Sequence, residues 1–206
     1  MIANRSLSIG AIVLAAGGSS RLGTPKQFVE FEGKTLLRRV VESVVHSAFD
    51  PVVIVCGNEI ERVSDEVRGL DVIVCANPEW SSGMSSSIRA GLVRLLEVLP
   101  TIDAALITLC DQPFVEDRSF ERLSSAFVSN DKEMAASEYD GIIGVPAIFS
   151  RRMFDDLRSL EGDRGARDLL RAPGASLVTV KTEEAAIDID TAEDVSRLNS
   201  NDRDTD

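Results

Sequence analysis

The sequence predicts an α/β fold built on a mostly parallel sheet, and two observations carry that prediction. Short apolar runs at residues 9–16, 52–56, 72–75 and 104–109 alternate with longer amphipathic stretches near 35–47, 58–68 and 82–99. The runs are rich in Val and Ile and lack polar alternation, as strands do when helices cover both faces. A βαβα order of this kind gives a doubly wound, three-layer, Rossmann-like domain. The length agrees, since 206 residues are enough for one domain with a sizeable core.

The first strand, 9–16, breaks into a loop of Gly17, Gly18, Ser19, Ser20 and Gly23. In the stretch 82–99, Ile88, Leu92, Leu95, Leu96 and Leu99 recur at helical spacing. The second half is less regular. Residues 119–128 read as a helix, and 133–139 and 142–145 as strands meeting at the turn pair Asp140-Gly141. Residues 150–160 and 164–171 read as helices, and 177–180 and 186–189 as strands. Thr191 suits the cap of a last helix through Glu193 and Asp194. Neither a repeat nor a linker is evident. The domain is expected over residues 1–198, with 199–206 as a disordered acidic tail.

A net charge of −12 argues against nucleic acid or an anionic membrane as a partner. It does not argue against a small anionic substrate, because a cationic loop and a metal dominate their own site. Cys56, Cys75 and Cys110 lack C-x-x-C spacing and sit in or just after apolar runs, as buried free thiols do. The opening residues lack a signal-peptide core and no apolar run reaches membrane length, so the expected compartment is the cytoplasm.

The loop after the first strand carries two cations, Arg21 and Lys26. Glycines let backbone N–H groups approach phosphate oxygens, Arg offers a planar fork of donors and Lys a mobile charge. The combination suits a triphosphate, although a glycine turn alone also suits an ordinary tight connection. It is not a Walker A loop, because Gly23 is followed by Thr24-Pro25-Lys26. Nor is it G-x-G-x-x-G, since no glycine stands two residues after Gly17 or Gly18.

Ligands of such sheets bind outside the carboxyl ends of the strands. Asp111, in Cys110-Asp111-Gln112-Pro113, follows the run 104–109 and offers a carboxylate there; read alone, it also suits a turn. Asp188 and Asp190, two apart at the end of the expected last strand, share a face, although Asp190 also suits a helix start. Mg²⁺ takes one or two carboxylates plus phosphate oxygens and waters, which Asp111 and Asp190 can supply, with Asp188 as a helper. A serine cluster, Ser81, Ser82, Ser85, Ser86 and Ser87, lies at a helix start, where free N–H groups favour anions. Trp80 suits stacking on a ring or rim packing; His46, the single histidine, has no nucleophile partner spacing.

The segment Leu14-Ala-Ala-Gly-Gly-Ser-Ser-Arg-Leu-Gly-Thr-Pro-Lys26 resembles the L-A-[AG]-G-x-S-x-R-x-G-x-x-K signature of the MobA-like nucleotidyltransferases that mature the molybdenum cofactor. The resemblance continues in 77–91, in Asp111-Gln-Pro113, in Gly144-Val-Pro146 with Phe149, in Gly162-Asp-Arg-Gly-Ala-Arg167 and in 188–194. It implies a glycosyltransferase-A-like fold and Mg²⁺-dependent nucleotidyl transfer. Leu14, Ala15, Ala16, Gly17, Gly18 and Ser19 would cradle the nucleotide with Gly83, Ser85 and Ser87, while Arg21, Lys26 and Asp111 carry the reaction. Arg167 suits the phosphate of the acceptor, or a buried ion pair with Asp163. Ala15-Ala16-Gly17 is the form associated with cytidylyl transfer, which implies CTP as donor, molybdopterin as acceptor and a molybdoenzyme client as a further partner. Ala192 departs from the family's usual Pro. The methylerythritol-phosphate cytidylyltransferases resemble residues 25–36 too, but carry Ala-Arg-Pro where this chain has Gln112-Pro113-Phe114. Related enzymes act on sugar or polyol phosphates, and a non-catalytic, nucleotide-binding accessory role is the remaining alternative.

Overall fold

The structure is a computed structural model that describes residues 7–17, 25–163, 165–189 and 194. Its strands are β1 (Ile9–Ala15), β2 (Glu30–Phe31), β3 (Lys34–Thr35), β4 (Val52–Cys56), β5 (Ile73–Ala76), β6 (Ala104–Leu109), β7 (Met134–Tyr139), β8 (Ile142–Ser150) and β9 (Leu177–Lys181). Its helices are α1 (Leu36–His46), α2 (Ile60–Glu66), α3 (Met84–Val98), α4 (Asp117–Ser129), α5 (Phe154–Arg158) and α6 (Arg167–Leu170). Seven strands form one sheet in the order β5-β4-β1-β6-β8-β7-β9. β1 runs parallel to β4 and β6, β4 to β5, and β7 to β9; β8 is antiparallel to both neighbours.

The three layers follow from side-chain alternation. Along β1, Ala11, Val13 and Ala15 join Leu37, Val40 and Val44 of α1 and Phe120 and Leu123 of α4 in the core on one face. Ile12 and Leu14 join Ile88, Leu92 and Leu95 of α3, Phe154 and Leu157 of α5 and Leu170 of α6 on the other. Gly91 lets α3 settle onto the sheet: a Cβ there would stand 2.4 Å from Ile12 Cγ2 and 2.9 Å from Val55 Cγ2. Truncating a fully buried leucine such as Leu92 to alanine is expected to cost about 2–5 kcal/mol. Thr35 caps α1, its hydroxyl accepting from Arg38 N at 3.1 Å.

Several elements differ from the sequence prediction. The apolar segment 145–149 continues β8 instead of ending it, because β6 needs a partner there: Ile107 pairs with Ala147 and Ala104 with Ser150. The helix expected over 150–160 shrinks to a 3-10 turn, Arg151–Met153, followed by α5. The helix expected over 164–171 retains Arg167–Leu170 among the described residues. No strand forms over 186–189. Glu183–Ala186 makes a 3-10 turn, and the chain beyond it is held by Ile189 N donating to Asp111 O at 2.9 Å. The β2–β3 hairpin was not foreseen. Cys56 and Cys110 are buried free thiols as expected, but Cys75 is only half-buried. Of the last helix expected from Thr191, Asp194 alone is described, and it is helical; Thr191, Glu193 and the tail 199–206 fall outside the described residues. Among those residues no helix is long and apolar enough to cross a membrane.

Candidate active site

The carboxyl ends of β1 and β6 open into a cavity of about 470 Å³, lined by Leu14, Ala16, Gly17, Lys26, Trp80 and Asp111 among others. Among the described residues a Cβ on Gly17 would meet nothing within 4 Å, and Gly17 lines the cavity. Ala15, by contrast, turns its methyl into the core. Lys26 rides on a 3-10 turn, Lys26–Phe28. The turn is anchored by buried Phe28, over whose ring the Arg62 guanidinium sits at 3.8 Å. Lys26 Nζ reaches Asp111 Oδ2 at 3.3 Å, with the two side chains 23% and 20% exposed. A cation and a carboxylate thus line the cavity together. Arg21, Gly18, Ser19 and Asp190 lie outside the described residues.

The serine cluster divides its labour. Asn77 Nδ2 donates to Ser86 Oγ at 2.8 Å and to Ser87 Oγ at 3.0 Å, and the Ser86 hydroxyl lies within bonding distance of Gly83 O and Glu79 O. Ser87 lines the cavity. Ser85 is fully buried and lines neither cavity; its N donates to Gly162 O at 3.1 Å, tying the start of α3 to the 162–165 loop. Gly83 holds φ at 111°, and a Cβ there would stand 2.6 Å from Gly162 O and Asp163 Oδ1. Trp80 packs its ring on Gly57 and donates Nε1–H to Asn58 Oδ1 at 3.1 Å, while its edge borders the cavity.

A second cavity of about 330 Å³ adjoins the first and shares the walls Met84, Leu109 and Asp163 with it. Gln112, Tyr139, Arg167, Asp168 and Asp188 complete it with Gly144. Arg167 and Asp163 are both exposed, so they form no buried ion pair. Asp188 is exposed as well, brought beside Asp111 by the Ile189–Asp111 backbone bond. The Tyr139 hydroxyl occupies the space above Gly144, 2.7 Å from where a Cβ would be. Burial raises the Tyr139 pKa and the Asp188 carboxylate adds to the shift, against the opposing pull of Arg167, so this phenol stays neutral near pH 7. Sequence reasoning missed Tyr139, Gln112 and Asp168 as wall residues. The Asp140-Gly141 turn that places Tyr139 beside Gly144 was legible, but the cavity they share is not. Cys110 lines the first cavity without reactivity to offer, because burial and the neighbouring Asp111 carboxylate push its thiol pKa up. His46 is exposed at the end of α1 and lines neither cavity.

A mostly parallel α/β sheet with Gly17, Lys26 and the strand-end carboxylate Asp111 around this cavity has the architecture of a nucleotidyltransferase. Residues 11–180 match the MobA-like NTP transferase domain, and the chain belongs to that family. It is 29% identical to the nicotine blue oxidoreductase of Paenarthrobacter nicotinovorans over 92% of this chain and 96% of that one. It is also 29% identical to the purine catabolism protein PucB of Bacillus subtilis, over 92% and 95%. A probable molybdenum cofactor guanylyltransferase of Methanosarcina acetivorans is 26% identical over 79% of this chain and 73% of that one. Among solved structures, Rv0371c of Mycobacterium tuberculosis superposes with a TM-score of 0.76 at 29% identity, covering 94% of this chain and 98% of that one. Its manganese complex superposes at 0.72 with 27% identity, covering 93% and 97%.

Proposed function

We propose that this nucleotidyltransferase moves CMP from CTP to molybdopterin with the help of Mg²⁺. One observation carries the reading: two cavities meet at a common wall of Met84, Leu109 and Asp163, with Lys26 and Asp111 in one and Arg167 in the other. Two substrates seated there would bring an acceptor phosphate up to a nucleotide α-phosphate. The glycine loop and Lys26 hold the triphosphate, and Arg167 holds the anionic group of the acceptor. An acceptor phosphate oxygen attacks the α-phosphorus, the bond to the bridging oxygen breaks, and pyrophosphate leaves. The acceptor supplies the nucleophile, so no side chain need form a covalent intermediate. Lys26 offsets the negative charge that grows on the phosphates.

The donor set fits a hard divalent cation. Asp111 stands at a strand end and Asp188 lies on the neighbouring segment, which leaves room for phosphate oxygens and water. Bound there, Mg²⁺ would neutralise phosphate charge; the manganese complex of the M. tuberculosis relative supports a divalent ion. The relative named as a probable molybdenum cofactor guanylyltransferase supports the acceptor. The Ala16 methyl on the cavity wall supports a pyrimidine base.

Pyrophosphate release, measured with each of the four ribonucleotides against molybdopterin, a sugar phosphate and a polyol phosphate, tests the reading. CTP with molybdopterin is expected to stand out. Preference for a sugar or polyol phosphate would reassign the acceptor, and CTP binding without any transfer would leave an accessory role.

A further inference from the structure

The wall between the two cavities is mostly apolar. Among the described residues the cavities share Met84, Leu109 and Asp163, and the first two have no N–H or O–H to give. Met84 opens α3 and is 38% exposed, at a helix position that suits acidic or small polar side chains. Its seat is Gly165, whose φ of 58° and missing Cβ leave room for it: a Cβ there would stand 2.6 Å from Met84 Sδ and 3.4 Å from Met84 Cγ. One residue on, Ser85 N donates to Gly162 O, so the loop that seats Met84 is tied to the start of its helix.

We propose that Met84 is a specificity-determining residue: with Leu109 it keeps water off the α-phosphorus, so that the nucleotidyl group goes to the acceptor and not to solvent. This rests on reading the two cavities as the two substrate sites. Water at that point would form the same phosphorus–oxygen bond that the acceptor forms. Pyrophosphate would leave, CMP would remain, and the proton would pass to solvent. A water needs about two to four polar partners to stay in place. Leu109 supplies none, and the Met84 sulfur is only a weak acceptor. The unbranched, flexible methionine can also follow the surface of a bound substrate and close the gap beside it. Shutting water out of a site in this way guards a reactive centre against hydrolysis.

The test uses the full-length protein with CTP and Mg²⁺, with and without molybdopterin, and measures CMP against transferred product. Met84→Gln keeps the length of the side chain and adds an amide that can hold a water. Its CMP release without acceptor is expected to exceed that of wild type by roughly two- to tenfold, the worth of one hydrogen bond to the attacking water. With molybdopterin present, the share of CTP lost as CMP should rise by a similar factor. Met84→Leu, apolar again, should bring that share back to the wild-type value. A Met84→Gln enzyme that releases no more CMP than wild type overturns the proposal. So does CMP release that rises equally in Met84→Leu, which would mark a loosened helix start instead of a wetted wall. Wild type that transfers nothing to molybdopterin overturns the acceptor reading alone, because CMP release without acceptor still reports on the wall.

Discussion

Asp111 stands where β6 stops being core, and its value is set by what it faces. Its ion pair with Lys26 is about a fifth exposed, a setting in which such pairs contribute about 1 kcal/mol or less. Asp111→Asn should therefore lower the melting temperature by a few degrees at most while cutting turnover by about two to three orders of magnitude. A variant that keeps most of its turnover, or one that loses stability in proportion, would remove Asp111 from the chemistry. Ala16 is the other residue with a sharp prediction. Its methyl borders the first cavity, and Ala16→Gly should move the CTP-over-GTP ratio of kcat/KM toward GTP by roughly ten- to a hundredfold. A ratio that stays put would mean the base is read elsewhere on the wall, Trp80 and Ser87 being the nearest candidates. Both residues stood out in the sequence because Ala16 ends one apolar run and Asp111 follows another by two residues. Tyr139 and Gln112 were not, because the cavity they share is made by packing between β7, β8, α6 and the segment after β6, contacts that no local spacing records.

Among the elements, the 162–165 loop and the start of α3 act as one unit. Gly83 accepts a backbone conformation that side chains resist, and it leaves no room for a Cβ beneath Gly162 and Asp163. Ser85 N ties the same two segments together. Gly83→Ala should cost roughly 1–3 kcal/mol in urea unfolding. Because Gly83 borders the first cavity and Asp163 both, it should also raise the KM for nucleotide and acceptor together. A rise in one KM alone would show that the loop serves a single cavity. The same scale explains the main misreading of the chain. Residues 186–189 look like a strand by composition, yet Ile189 N donates to Asp111 O, and just before the segment Ala185 O accepts from the Gln112 amide, so no sheet edge takes it up. Local pattern favoured pairing; two tertiary hydrogen bonds on the motif Asp111-Gln112 fixed a different path. The error carried a benefit, since those bonds bring Asp188 to the site by a route other than the one expected.

At the scale of the whole molecule, the sheet is continuous from β5 to β9, and each of its faces carries one large apolar core. β1 and β6 contribute residues to both cores, so neither face can come apart without exposing the other. Thermal unfolding should therefore be one cooperative transition, seen at the same temperature by far-ultraviolet circular dichroism and by the fluorescence of Trp80. The two cavities lie along this shared seam, against the ends of β1 and β6, and a ligand bound there would draw on the stability of both layers. If the proposed substrates are right, CTP and Mg²⁺ at about 100 times the dissociation constant should stabilise the folded state by about 2.7 kcal/mol. For a chain of this length that corresponds to a rise of roughly 5–11 °C in the melting temperature. The net charge of −12 works against a triphosphate at long range, so the rise depends on the local cations. Lys26→Ala should accordingly lose much of it while the ligand-free melting temperature hardly moves, given how little an ion pair at that exposure contributes. Two resolved transitions would break the case for a single cooperative unit. An undiminished shift in Lys26→Ala would take Lys26 out of the triphosphate site.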